Sequence, residues 1–217
     1  MPTSPTHLGL LSDAHGNAPA TRQAVAQLLR QGATCLIYLG DACDDRVLDE
    51  LAGLQTAGAK PVPVHLVAGN CDRDIPALRR YAQYLELTFH TAPGVLKAAG
   101  QTLVFGHGHE SDLWKKACAF GADFLLHGHT HAREDALRQH AKGRMRILCP
   151  GAVTGPATAC PPPAPCCACP KEPWNSWIWN ELPFGPLLPH LFPPPSPSPG
   201  GLQEIRHPVI IPPLPHW

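Results

Sequence analysis

Seven side chains of metal-binding type stand in five short motifs: Asp13-Ala14-His15, Gly40-Asp41, Gly69-Asn70, Gly106-His107 and Gly128-His129-Thr130-His131. Each motif follows an apolar run, so each set of donors falls where a buried strand gives way to a loop. One such motif alone is as readily a turn residue or a helix cap. Five in one chain, all oxygen or imidazole donors, point to a site for two divalent cations and to phosphoryl chemistry. Asp13, His15, Asp41, Asn70, His107, His129 and His131 are the candidate ligands. A mixed nitrogen and oxygen set suits manganese, iron, cobalt, nickel or zinc better than calcium or magnesium, and the lack of cysteine in the motifs argues against a structural zinc site. Two divalent ions bring four positive charges, while Asp13, Asp41 and one hydroxide bring three negative ones. The remainder attracts a phosphate ester and still holds hydroxide near neutral pH. His129 and His131 are alternate residues, which in an extended segment face the same side.

These donors need strands to present them. Residues 7–13 read as a first strand, followed by a helix that starts at Pro19 and stops near Gly32. Residues 35–39 and 62–68 read as further strands. Between them a helix is expected over residues 45–57, with Val47, Leu48, Leu51 and Leu54 on one face. That alternation favours a parallel sheet, whose ligands collect beyond the carboxyl ends of its strands. Farther on, residues 95–98 and 102–105 read as a hairpin. Residues 112–120 read as a helix, and 124–126 and 144–148 as strands. His127 is expected to point into the core.

The chain has 217 residues and a formal net charge of zero, which argues against a nucleic-acid binder held by bulk electrostatics. No secretory leader and no membrane-length apolar run is legible, so a cytoplasmic protein is expected. Cys35, Cys43, Cys71, Cys118 and Cys149 read as thiols scattered through the core in a reducing compartment. Most of the 27 prolines fall beyond residue 157, where charge is sparse and proline blocks both helix and central strand. We therefore expect a domain over residues 1–156 and a disordered or aberrant tail over 157–217. Cys160, Cys166, Cys167 and Cys169 belong to that tail and lack zinc-finger spacing.

Taken in order, Asp-x-His, Gly-Asp-x-x-Asp (Gly40 to Asp44), Gly-Asn-x-Asp (Gly69 to Asp72), Gly-His-Gly-His (Gly106 to His109) and Gly-His-Thr-His resemble the motifs of the calcineurin-like metallophosphoesterases. The Gly-Asn-Cys-Asp form and the length look like the small prokaryotic phosphodiesterase branch. The resemblance runs over about residues 7 to 153. It implies an α/β fold, a four-layer αββα sandwich with a dinuclear site at its top. It also implies a partition: Asp13, His15, Asp41 and His131 on one ion, Asp41, Asn70, His107 and His129 on the other, with Asp41 as bridge. Manganese is the metal expected first.

Asp41, His109 and Asp72 form the expected catalytic set. Asp72, like Asp44, orients a ligand or a substrate-facing base, or is a turn residue. His109 faces substrate or supports the ligands. Asn17 and Arg73 are candidate phosphate contacts, against a turn residue and a solvated charge. Larger relatives carry a histidine at the position of Cys71, thought to protonate the leaving group; cysteine is a poor general acid, and His109 becomes a candidate for that role. The family also follows its Asn-Pro-Gly-Ser turn with strands that complete the second sheet. Here Cys149-Pro150-Gly151-Ala152 keeps the Pro-Gly pair, but residues from 157 do not resemble those strands. A reading-frame change near codon 157 would account for this, and Gln203 to Ile211 is the one stretch able to supply a strand. The expected activity is hydrolysis of a small-molecule phosphodiester by hydroxide held between two metals, with nucleotide or nucleic acid only as substrate and a second copy as a homodimer partner. The alternatives are a phosphomonoesterase with the same site and, by resemblance to a eukaryotic branch of the fold, a non-catalytic retromer scaffold. That branch has a degraded metal site, whereas all seven positions are filled here.

Overall fold

A computed structural model describes residues 7–153 together with the backbone of Ile210 and Ile211. The first half alternates strand and helix: β1 (Leu8–Leu11), α1 (Ala18–Arg30), β2 (Cys35–Tyr38), α2 (Asp45–Asp49), β3 (Val64–Leu66), α3 (Ile75–Tyr84) and β4 (Thr88–Phe89). The second half contains β5 (Gly94–Ala98), β6 (Gln101–Phe105), α4 (Leu113–Phe120), β7 (Phe124–Leu126), β8 (Arg133–His140) and β9 (Gly143–Pro150), and β10 is Ile210–Ile211. Two five-stranded sheets result, ordered β10-β1-β2-β3-β4 and β5-β6-β7-β9-β8. The β1 to β4 pairings are all parallel, as the alternating pattern predicts, and β6 also runs parallel to β7.

Side-chain alternation along the strands sorts the core into three zones. On β2, Leu36 and Tyr38 meet α1, α2 and α3 through Leu28, Leu48 and Ala82. Cys35 and Ile37, with Leu39 just beyond, meet Leu103, Phe105, Phe124 and Leu126 of the opposite sheet. On that sheet's far side, Val104, Leu125 and Ile147 pack on Leu113 and Ala117 of α4. Helix, sheet, sheet, helix is the four-layer αββα sandwich that the family resemblance implies. Gly9 makes the tight contact of α1 with β1, since a Cβ there would run into the Leu28 and Leu36 side chains.

Several elements differ from the sequence reading. The second helix ends at Asp49 rather than near residue 57. Leu51 and Ala52 already donate to carbonyls three residues back, and Gly53 takes a positive φ of 61°. The chain then reverses through the Gln55 to Pro61 bridge, so Leu54 packs from a loop. Helix α3, opened by the Asp74 cap and Pro76, was not anticipated, nor were β4 and β8. Strand β8 (sequence REDALRQH) is half exposed at the edge of its sheet and carries almost no apolar signal. The β5–β6 hairpin is as expected. Its loop is Ala99-Gly100, both with positive φ, the backbone that a two-residue turn between twisted strands requires.

The tail expected over 157–217, its four cysteines and the reading-frame hypothesis lie outside the described residues. Within that span, Ile210–Ile211 pairs antiparallel with β1, inside the stretch singled out as able to supply a strand. Among the described residues, no helix is long and apolar enough to cross a membrane.

Candidate metal centre

Five loops meet above the carboxyl ends of parallel strands. The loop after β1 carries Asp13 and His15, that after β2 carries Asp41, and that after β3 carries Asn70. The loop after β6 carries His107, and that after β7 carries His129 and His131. Asp13, His15, Asp41, His129 and His131 all have φ between 44° and 67°. Left-handed backbone is costly for side chains of this kind and collects where function requires a particular aim. It also corrects the expectation for His129 and His131. Their segment is not extended, and Thr130 N–H donates to Gly128 O at 2.8 Å. The turn aims His131 at Asp13 and His15, and lays His129 against His107 with ring centroids 5.1 Å apart.

Six of the seven candidates converge. His15 Nε2 lies 3.0 Å from His131 Nε2, and His131 Nε2 lies 3.3 Å from Asp13 Oδ1. His107 Nε2 lies 3.3 Å from Asp41 Oδ2, 3.1 Å from Asn70 Oδ1 and 3.9 Å from Asp13 Oδ1. His15 Nε2 stands 3.9 Å from both Asp13 Oδ1 and Asp41 Oδ2. Donors each about 2.0–2.2 Å from a common ion lie roughly 3–4 Å apart, so these spacings match ligands sharing cations. Two groups of these candidates, Asp13 with His15 and His131 and Asp13 with Asp41 and His107, have their ligand atoms within 4.8 Å of one another, and a third group among the described residues joins His15 to Cys43 and Cys71. His129 enters none of them.

The residues present fit such ions on a further count. Asp13 is fully buried and its Oδ1 has no hydrogen-bond partner, although three imidazole nitrogens, of His131, His107 and His15, lie within 3.9 Å of it. A buried carboxylate oxygen left without a donor is costly unless a cation completes it. The histidine tautomers also suit ligation: His107 Nδ1 is 2.6 Å from Leu39 O, so Nδ1–H donates there and Nε2 faces the cluster.

Electrostatics follow from this crowding. Burial works against ionised Asp41, but the hydrogen bond and charge of His107, with the Cys71 N–H, outweigh it and hold the carboxylate well below its ordinary range. Burial likewise depresses the His107 imidazolium, and Asp41 and Asp13 overcome it, raising the group to about 9. His131 is raised by the Asp13 carboxylate, 3.3 Å away, against burial. His15 and His129 are lowered, in both cases chiefly by burial.

The remaining candidates fall around this cluster. Asp72 is buried beneath it, where Oδ2 accepts from Asp41 N (3.0 Å) and Gly69 N (2.8 Å) and Oδ1 from Cys43 N (2.8 Å). It therefore fastens the Asp41 loop to the Asn70 loop. Burial, aided by the Asp41 charge, raises its carboxyl despite those three donors. His109 is exposed at the rim, its ring 5.4 Å from that of His107 and 6.2 Å from that of His129. Asn17 caps α1, accepting from Ala20 N at 3.1 Å, and Asp44 caps α2 and pairs with Arg46. Arg73 is exposed. His127 is not in the core; half-buried, it lies 3.1 Å from Glu134.

Sequence reasoning missed three supports. Ser12 Oγ donates to Asp13 Oδ2 (2.5 Å) and lies 3.0 Å from Gly151 O. Tyr38 OH, fully buried, accepts from Ala14 N and donates to Asp41 O, joining the first two loops. Glu110 accepts from His107 N and Gly108 N. A tyrosine ending an otherwise aliphatic strand was the available signal for Tyr38. The five described cysteines also depart from the expectation: Cys35 and Cys149 are buried, but Cys43 is exposed and Cys71 and Cys118 are half-buried. Cys43 and Cys71 cluster with His15.

A family model described as the calcineurin-like phosphoesterase superfamily domain matches residues 7–169. Among solved structures, an archaeal phosphodiesterase aligns with a TM-score of 0.56 and 21% identity over 68% of this chain and 84% of its own. Yfce, a phosphoesterase from E. coli, gives 0.49 and 24% over 68% and 80%. Vps29 from Entamoeba histolytica, complexed with zinc, gives 0.46 and 18% over 69% and 76%. Likenesses at these identities concern the fold. No curated protein matches the chain.

Proposed function

The chain belongs to the calcineurin-like phosphoesterase superfamily, and from that premise we propose that it hydrolyses phosphodiesters with two divalent ions, manganese first among them. The observation that carries this reading is the partnerless, buried Asp13 Oδ1 at the centre of converging imidazoles and carboxylates. Asp13, His15, Asp41 and His131 would hold one ion, and Asp41, Asn70, His107 and His129 the other. Asp41, whose Oδ2 lies 3.9 Å from His15 Nε2 and 3.3 Å from His107 Nε2, would be shared by the two sets. His129, whose ring lies 5.1 Å from that of His107, would complete the second set.

The ions, when bound, supply Lewis acidity and a water acidified to near neutrality. The protein's own groups do the rest. Leu39 O fixes the His107 tautomer, and Ser12 Oγ with the His129 N–H holds Asp13 Oδ2 so that Oδ1 faces the cluster. Exposed His109 beside His107 is the group to hand a proton to the leaving alkoxide, a role that Cys71 fills poorly. Arg73 and Asn17 are proposed to meet substrate phosphate, Asn17 only through atoms its helix cap leaves available.

The test is hydrolysis of an activated diester and the matching monoester with manganese and with chelator. Faster chelator-sensitive turnover of the diester supports the reading; faster turnover of the monoester reverses the substrate preference; no turnover by folded, metal-loaded protein removes it. Asp41→Ala should lose at least about 100-fold in activity, and a near-normal rate would contradict the assignment of Asp41 as bridge.

A further inference from the structure

Two thiols stand together at the rim of the metal centre. The sulfurs of Cys43 and Cys71 and one ring nitrogen of His15 all lie within 4.8 Å of one another. Cys43 comes from the loop after β2 and Cys71 from the loop after β3, so the pair spans two of the loops that carry ligands. Both backbones are pinned: Cys43 N–H donates to Asp72 Oδ1, and Cys71 N–H donates to Asp41 Oδ1, each at 2.8 Å. Cys43 sits in left-handed backbone with φ of 62°.

Each sulfur also touches a candidate ligand. Cys43 Sγ is 3.7 Å from His15 Nδ1, the nitrogen that faces away from the cluster. Asn70 Nδ2 donates to Cys71 Sγ at 3.4 Å. The two thiols therefore lean on one residue from each half of the proposed site. By contrast, Cys35 and Cys149 are buried, and burial pushes both thiols up to about 11, which suits inert packing.

From this geometry we infer that Cys43 and Cys71 form a reversible disulfide, a redox modification site across the mouth of the metal centre. The sulfurs, within 4.8 Å of one another, must close to a bonding distance of about 2.0 Å, and side-chain rotation is the motion that brings them together. A low-molecular-weight disulfide such as glutathione disulfide is the oxidant. One thiol attacks its S–S bond and releases a glutathione thiol, and the second thiol displaces the other glutathione. Two S–H bonds are lost, one protein S–S bond forms, and two glutathione thiols are made. Closing the bond withdraws Cys43 from His15 and Cys71 from Asn70. The consequence for catalysis rests on the function proposed above: the oxidised chain loses metal-dependent hydrolysis, and a thiol reductant restores it.

The experiment uses the full chain, reduced, exposed to glutathione disulfide, alkylated and digested for mass spectrometry. The expected result is a linked peptide pair holding Cys43 and Cys71, lighter by two hydrogens than the separate thiol peptides and lost after dithiothreitol. Cys35 lies near Cys43 in sequence, so Cys43→Ala decides which thiol is used; the link should vanish in it, with Cys43→Ser as the replacement should that variant fail to fold. The inference is overturned if Cys71 is recovered alkylated or only glutathionylated, if it links to a cysteine beyond residue 157, or if the link survives without Cys43. Mass reports the disulfide whether or not the chain hydrolyses anything. A reduced chain that links but never turns over a phosphate ester removes the enzyme reading and leaves the disulfide standing, whereas a hydrolytic chain that never links removes the disulfide.

Discussion

The carboxylate of Asp72 meets three backbone N–H groups, from Gly69, Asp41 and Cys43, and so sets the height of two ligand loops without joining the cluster. Asp72→Asn replaces one acceptor oxygen with an NH₂ that faces donors. The cost is about 1–3 kcal/mol of stability, readable in a denaturant melt. Metal affinity should fall as well, because Asp41 loses the N–H contact that seats it. A variant with the wild-type melt and affinity would show that water replaces the carboxylate at no cost. The imidazoles make a second prediction, with its sign fixed by the shifts. In the metal-free protein His107 holds its proton up to about 9, and His131 is also raised. A cation needs both neutral, so loading at neutral pH releases protons and metal affinity weakens as pH falls. Metal-free stability moves the other way. The raised His107 contributes fully below the ordinary histidine value of 6.5, and that contribution is lost as pH rises through about 9. Calorimetric titrations in two buffers of different ionisation enthalpy, with melts of chelated protein across the same range, check both signs.

At the scale of elements, the loops work because glycine lets backbones approach. A Cβ at Gly69 would land on the Asp41 carboxylate and backbone nitrogen, whereas one at Gly32 would meet open space, although Gly32 has a positive φ of 92°. Gly69→Ala and Gly32→Ala should therefore lose similar stability, about 1–3 and about 1–2 kcal/mol, for different reasons. Only Gly69→Ala should lose metal as well; equal metal content in the two would refute the close-approach argument. The same contrast explains what could be read from sequence. Strands β1, β2 and β7 are continuous apolar runs that lead into donors, so the parallel strands and six converging candidate ligands are legible in the sequence, while the four-layer arrangement is legible only through the family resemblance. Strand β8 was not, because an exposed edge strand pairs through its backbone and needs no apolar face. The end of α2 depended on Gly53 and a tertiary reversal, not on local periodicity. The aim of His131 depended on left-handed φ at successive alternate residues, which sequence pattern does not encode.

For the molecule as a whole, the site is a seam: Asp13, His15, Asp41 and Asn70 come from one sheet, and His107, His129 and His131 from the other. Any change in how the sheets sit is therefore felt at the cluster. The first sheet begins with β1, whose four residues are all buried and whose end leads directly into Asp13. On one side β1 pairs with β2, and on the other with β10 through Leu8 and Gly9 opposite Ile211 and Ile210. A buried apolar strand with an open edge is a template for pairing with another chain, so β10 guards the molecule against association as well as completing the sheet. Ile210→Pro removes a backbone donor from that pairing and sets a rigid φ beside it. The expected cost is small, about 1 kcal/mol, because β10 contributes only two residues. The larger effect should be in solution behaviour: light scattering should show association growing with protein concentration, while dilute variant keeps its metal, since every candidate ligand lies outside β10. If the variant scatters like the parent at high concentration, the β1 edge does not need β10 for its protection.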